Sequence, residues 1–122
     1  MSLDSFSSAL EKFFKDKLLK FSLIFSLLLN LLLWFYLAWQ IRKLPSVIPL
    51  HYNIYYGIDF LGPWYYLIFL AGLGLGLIII NFFIALAVLT NHKILSYFSI
   101  LSLGVIQFLL FAACVAIINI NI

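Results

Sequence analysis

Three long apolar runs constrain the fold of this chain more than any other feature. They cover residues 18–41, 64–90 and 94–118, and each is longer than the roughly 20 apolar residues that a helix needs to cross the ~30 Å hydrocarbon core of a bilayer. Of the 122 residues, 66% are hydrophobic and 9% are charged, which leaves too few polar groups to cover a water-soluble domain. The sequence therefore predicts an all-α membrane protein, a single membrane domain over residues 1–122 with three transmembrane helices.

The first 17 residues form a separate element ahead of the first span. Apolar residues recur there at helical spacing, at Leu3, Phe6, Leu10, Phe13 and Phe14. This pattern predicts an N-terminal amphipathic helix in the plane of the membrane interface, with its apolar side in lipid. A helix that binds a partner protein is the alternative. No small-residue cleavage site follows the first apolar run, so we expect that run to stay as an anchor.

Basic residues indicate the orientation of the chain. Arg42 and Lys43 follow the first span, and Lys93 lies between the second and third. Four more precede the first span: Lys12, Lys15, Lys17 and Lys20. A cytoplasmic N-terminus places five basic residues inside and two outside, as the positive-inside rule favours. The sequence thus predicts a multi-pass protein of the cell membrane with its N-terminus in the cytoplasm and its C-terminus outside.

Residues 42–63 then form an outer loop between the first two spans. Aromatic residues with a polar edge, which favour headgroup depth, flank this loop on both sides: Trp34, Tyr36, Trp39, Trp64, Tyr65 and Tyr66. The net charge of +3 comes mainly from the N-terminal lysines. This charge is therefore expected to influence the membrane orientation and to attract anionic lipid headgroups. Nucleic acid is not an expected partner.

Each span carries one amide side chain near its middle, at Asn30, Asn81 and Gln107. Lipid offers these amides no hydrogen-bond partner, so we expect them to point at one another or at another subunit. Their expected role is to fix the register of the helices. The alternative is that they line a polar permeation path.

The second span contains Gly72 and Gly76, four residues apart, with Gly74 between them. A GxxxG pattern lets helix backbones approach closely. We expect Gly72 and Gly76 to pack against the first or third span of the same chain, with a homodimer seam as the alternative.

The outer loop is the one long run that a bilayer would reject. Pro45 and Pro49 remove backbone donors and fix φ, which predicts an extended chain over residues 44–50. Asn53, Gly57 and Asp59 follow, and these residue types suit turns and helix starts. The remainder is so apolar that we expect a compact cap on the outer ends of the helices.

The motif in this loop resembles a known family. Leu44-Pro45, then Ile48-Pro49-x-His51-Tyr52-Asn53, then Asp59-x-x-Gly62 is similar to the bacterial membrane domain of unknown function at the N-terminus of SdpI-type toxin-immunity proteins. The resemblance covers roughly residues 30–89. It implies the fold of this segment and a special importance for His51 and Asn53, but not the immunity function of the larger proteins. Gly57 stands one position later than in the family pattern, and Pro63 and Trp64 replace polar or basic residues.

Catalysis and metal binding find little support in the sequence. His51 and Asp59 are competent ligands, yet zinc sites use three or four, so we expect a structural histidine and no cofactor. Asp59 is the only acid outside the N-terminal segment, which disfavours an enzyme.

The predicted function is that of a small non-enzymatic protein that interacts with a membrane partner or peptide through its outer aromatic loop. The alternative is a homo-oligomeric pore or transport component lined by the midplane amides.

Overall fold

The computed structural model describes residues 3–53 and 57–121, the side chains of residues 49–61 excepted. Its helices are α1 (Leu3–Lys15), α2 (Lys17–Gln40), α3 (Tyr66–Val88) and α4 (Lys93–Asn121). Between α2 and α3 lie a 3₁₀ turn (Ile41–Lys43) and two strands, β1 (Val47–Asn53) and β2 (Gly57–Pro63).

Helices α2, α3 and α4 are long and apolar enough to cross a membrane, which confirms the prediction of three helices of that length and composition. The turn between α3 and α4 is short and is closed by a 2.7 Å hydrogen bond from the His92 N–H to the Val88 carbonyl, so α4 runs back along α3. We call the end of the bundle at this turn the turn end. The opposite end, where the two strands lie, is the hairpin end.

Two apolar clusters stabilise the bundle, one towards each end. The cluster at the turn end joins Leu19 and Leu23 of α2 to Ile78 and Leu86 of α3 and to α4. The cluster at the hairpin end is built from α2, α3, α4 and β1, with these buried members: Leu33, Leu37, Ile48, Leu67, Ala71, Cys114 and Ile118. The sequence positions of Asn30 and Gln107 place both amides between the two clusters.

Helix α1 packs on the turn end. Phe13 is fully buried, and its ring lies edge-on against Phe82 of α3, with the ring centroids 5.1 Å apart. Phe6 stacks on Phe83 at 6.4 Å, and Ala9 is also buried. Much of the apolar side of α1 therefore contacts protein, and the expectation that Phe13 faces lipid is wrong. Aromatic rings on α3 offer α1 a better-packed surface than mobile acyl chains do.

The all-α prediction is incomplete, because the segment between α2 and α3 contains an antiparallel pair of strands. Val47 pairs with Pro63, Ile48 with Gly62 and Asn53 with Gly57, with an irregular register around His51. The strands satisfy each other's backbone groups where the chain leaves the helices. Ile48 is fully buried and packs with the cluster at the hairpin end. The predicted extended conformation is present from Val47 onwards, but the pairing of β1 with β2 was not predicted.

Candidate functional site

A buried polar site joins α2, α3 and α4 between the two apolar clusters. The Asn30 Nδ2 donates to the Gln107 Oε1 at 3.1 Å and to the Ala71 carbonyl at 3.2 Å. The Gln107 Nε2 donates to the Gly74 carbonyl at 2.9 Å. Asn30 is 3% exposed and Gln107 is 1% exposed. We call this set of residues the central amide network.

Trp34 completes this network from one helical turn away. Its indole Nε1 donates to the Asn30 Oδ1 at 2.9 Å, so both ends of the Asn30 amide have partners. The spacing of Trp34 and Asn30, four residues apart on a helix, is the sequence signal for this contact. The aromatic pattern at the end of the first span predicts only an interfacial position for Trp34.

Gly74 makes the central amide network possible. A Cβ atom at Gly74 would lie 2.8 Å from both the Asn30 Nδ2 and the Gln107 Oε1, closer than such atoms approach. By contrast, a Cβ at Gly72 or Gly76 would meet nothing within 4 Å. The expectation that Gly72 and Gly76 pack against another span of the same chain is therefore wrong. The homodimer seam stays a prediction.

Asn81 belongs to a different polar site, nearer the turn end. Its Nδ2 donates to the Leu77 carbonyl of its own helix at 2.8 Å, and its Oδ1 accepts from the Ser99 hydroxyl at 2.9 Å. The buried Ser96 hydroxyl donates to the Ala85 carbonyl at 2.7 Å, a second polar link between α3 and α4. The structure thus brings Asn30 and Gln107 together, whereas Asn81 pairs with a serine. The roles of Ser96 and Ser99 were not predicted, although small polar residues commonly form hydrogen bonds across membrane helices.

A third polar site at the turn end is centred on Asp16, between α1 and α2. Its carboxylate accepts from the N–H groups of Leu18, at 3.0 Å, and Leu19, at 3.2 Å, and so caps α2. The Tyr97 hydroxyl donates to the same carboxylate, and the Lys93 Nζ lies 3.7 Å from its Oδ2. An acid directly before an apolar run is a helix-start signal, but a capping role for Asp16 was not predicted.

The Tyr97 hydrogen bond is the largest influence on the pKa of Asp16 and lowers it. Burial acts in the opposite direction, while the backbone hydrogen bonds and the charge of Lys93 lower the pKa further. The balance holds the Asp16 pKa below its ordinary value of 3.8, because each of these partners stabilises the charged carboxylate.

The residues of the predicted outer-loop motif lie at the hairpin end. Gly62 is buried opposite Ile48 in the sheet, and Pro45 is exposed just before β1. Pro49, His51, Tyr52, Asn53 and Asp59 have strand backbone, but their side chains lie outside the described part of the structure, as do Tyr55 and Tyr56 altogether. The structural role expected for His51 and Asn53 stays a prediction. Among the described residues, no group of three or more potential ligands could hold a metal ion.

Aromatic side chains form a continuous cluster where β2 leads into α3. Neighbouring rings meet nearly edge-on, with centroid distances of 5.8 Å for Trp64–Tyr65 and 6.1 Å for Tyr65–Phe69. Tyr66 joins them, 5.6 Å from Tyr65. We call these four residues the aromatic cluster. Tyr65 is 47% exposed and Phe69 is 65% exposed, so the cluster presents a large apolar surface.

Two concave apolar surfaces open on the sides of the bundle. At the hairpin end, Tyr66 and Phe69 of the aromatic cluster line a depression of about 340 Å³ with Leu70 and Ile117. Nearer the turn end, a groove of about 970 Å³ lies between α2 and α4. The groove is lined by Lys17, Leu18, Phe21, Ser22, Phe25, Leu101, Gly104, Val105 and Phe108.

The chain matches no family model, and no curated protein or solved structure is significantly similar to it. The resemblance of residues 30–89 to the SdpI-type membrane domain therefore stays a prediction.

Proposed function

We propose that the chain is a small non-enzymatic integral membrane protein that binds another membrane protein or a membrane-inserted peptide at its hairpin end. The observation that carries the proposal is the exposed aromatic cluster beside a depression of about 340 Å³. Rigid aromatic anchors next to an apolar pocket are typical of the energetic centre of protein interfaces. The depression offers a matching apolar side chain of the partner a place to insert.

The polar sites support a structural role for the interior. In the central amide network, both nitrogens donate to oxygens within the chain and both amide oxygens accept. Such contacts fix helix register. They favour a packing role for Asn30 and Gln107 over lining a permeation path. The Asp16 carboxylate likewise has a structural role as the cap of α2.

In this proposal the N-terminus lies in the cytoplasm and the hairpin end faces outward. The lysines and arginine support this orientation, with five basic residues on the cytoplasmic side and two outside. The aromatic cluster then lies at the outer headgroup depth, where a partner that spans or enters the membrane can reach it. Helix α1 lies along the inner membrane surface, with exposed Leu3 and Phe14 in contact with lipid.

Native mass spectrometry of the protein, gently extracted in its own lipids, tests this proposal. We expect a heteromeric mass from the parent chain and its loss in a Tyr65→Ala/Phe69→Ala variant. Phe98→Ala is the matched control, since Phe98 is 75% exposed but lies near the turn end. A heteromer that survives the Tyr65/Phe69 change would contradict the assigned surface. A closed homo-oligomer would instead support the alternative, a homo-oligomeric pore or transport component.

A further inference from the structure

A basic depression of about 450 Å³ lies at the turn end, away from the aromatic cluster. It is formed where α1 meets the connection between α3 and α4, and is lined by Lys12, Lys15, Asp16, Leu89, Thr90 and Lys93. Three positive charges and one negative charge therefore face one small volume, and the depression carries a net charge of +2. We call it the basic pocket.

The negative charge in the basic pocket is already engaged by the protein. The Asp16 carboxylate accepts hydrogen bonds from the Tyr97 hydroxyl and from the two N–H groups at the start of α2. These contacts hold Asp16 in place as a cap, and the Lys93 Nζ lies 3.7 Å from its Oδ2, so the net positive charge of the pocket comes from Lys12 and Lys15. Lys12 and Lys15 are exposed near the end of α1, and Lys93 is 62% exposed at the start of α4.

The lining of the basic pocket suits a phosphate group that belongs to a lipid. Lysine ammonium groups bind phosphate as point charges, and the start of α4 adds the positive end of a helix dipole. The Thr90 side chain supplies a hydroxyl, and Leu89 supplies an apolar wall beside the charges. Exposed Phe14 and Leu95 lie close by in sequence, which places the pocket at the boundary between hydrocarbon and headgroups.

We propose that the basic pocket binds the phosphate headgroup of an anionic phospholipid at the turn end of the bundle. The bound lipid bridges α1 to α4 through Lys12, Lys15 and Lys93. Basic pockets between membrane helices are known to take anionic headgroups. The proposal does not depend on the partner-binding role of the hairpin end.

The chain offers a matched control for this proposal. Lys17 and Lys20 lie in the first turns of α2, on the same side of the membrane as the basic pocket but outside its lining. A Lys12→Gln/Lys15→Gln variant and a Lys17→Gln/Lys20→Gln variant lose the same charge. Diffuse attraction to an anionic surface would weaken equally in both, whereas a built pocket would weaken only in the first.

The experiment uses the full chain in nanodiscs of phosphatidylglycerol and phosphatidylcholine in equal parts. Native mass spectrometry then gives the ratio of the two lipids retained on the released protein. We expect the parent and Lys17→Gln/Lys20→Gln to retain phosphatidylglycerol preferentially, and Lys12→Gln/Lys15→Gln to lose that preference by roughly tenfold or more. Equal losses in both variants, or no preference in the parent, would overturn the proposal. All four lysines are exposed, so an unchanged melting temperature will show that the fold is intact.

Discussion

At the scale of single residues, the missing side chain of Gly74 lets two buried amides meet. Gly74→Ala would place a methyl group 2.8 Å from the Asn30 Nδ2 and the Gln107 Oε1, so the central amide network must shift or break. Overpacking of this kind typically costs about 1–3 kcal/mol. We expect a clear fall in the free energy of unfolding of Gly74→Ala, measured in detergent micelles.

The neighbouring glycines of α3 are the controls for this prediction. Gly72→Ala and Gly76→Ala add a methyl group where nothing lies within 4 Å, and alanine has the better helix propensity. Both variants should be as stable as the parent. If Gly72→Ala or Gly76→Ala unfolded more readily than Gly74→Ala, the close packing of α2 and α4 side chains against Gly74 would be contradicted.

The residues of the central amide network show what sequence can and cannot predict at this scale. Asn30 and Gln107 stand out because an amide in a long apolar run must find a partner. Gly74 does not stand out, because α3 is apolar on every side and its sequence holds no signal for which face points inward. The GxxxG pattern instead directed attention to Gly72 and Gly76, which lie on other faces of the helix.

At the scale of elements, Asp16 separates α1 from α2 and ties both to α4. Removing its side chain in Asp16→Ala leaves the Leu18 and Leu19 N–H groups without their cap, a loss of about 1 kcal/mol for a typical cap. The Tyr97 hydroxyl also loses its acceptor. Asp16→Asn keeps a capping oxygen but not the charge, so we expect it to unfold at a temperature between those of the parent and Asp16→Ala.

The same carboxylate makes stability depend on pH. Because the Asp16 pKa is lowered in the folded chain, first by the Tyr97 hydrogen bond, its contribution to stability is fully present above the ordinary pKa that Asp16 has in the unfolded chain. That contribution is lost as the pH falls through the lower folded-state pKa. Melting curves from pH 7 to pH 2 should therefore show a smaller acid-induced loss for Asp16→Asn than for the parent. Asp4→Asn, which changes an exposed acid in α1, should retain the parent's loss.

Helix α1 provides a second test at this scale, through two adjacent phenylalanines. Phe13 is fully buried against Phe82, whereas Phe14 is 47% exposed. Phe13→Ala should cost about 3 kcal/mol, as expected for a buried ring, and should make α1 more accessible to trypsin at Lys12 and Lys15. Phe14→Ala should change both measurements much less. Equal effects of the two substitutions would indicate that lipid, not α3, holds α1 in place.

The elements also differ in how well sequence predicts them. The apolar periodicity of residues 1–17 predicts α1, but not that Phe13 would find aromatic partners on α3, 69 residues away from it at Phe82. The strand pair was not predicted for a similar reason, because it too depends on a contact between separate segments. Val47 and Ile48 are strand-forming residues, yet strand pairing depends on a partner segment, and Gly57 and Asp59 of β2 are residue types that favour turns.

At the scale of the whole molecule, three apolar spans are held by two apolar clusters, by the central amide network between them, and by further polar links nearer the turn end. Length and hydropathy alone predict the spans, because a bilayer admits few alternatives to a continuous helix. Hydropathy does not predict the rotation of each helix about its axis, because an apolar side chain is accommodated equally well facing the other helices or the lipid. The buried amides and the capping acid help to fix this rotation, because their side chains make hydrogen bonds to neighbouring helices.

Three spans also require that the two connections between them lie on opposite sides of the membrane. Ser46, before β1, and Asn91, in the turn between α3 and α4, are both exposed. In a Cys114→Ala background, Ser46→Cys should react with an impermeant thiol reagent added outside intact cells, and Asn91→Cys should react only after detergent is added. The basic residues near the turn end favour this direction. The reverse pattern would invert the orientation and place the basic pocket on the outer leaflet, whereas labelling of both sites in intact cells would mean that α3 does not cross the membrane.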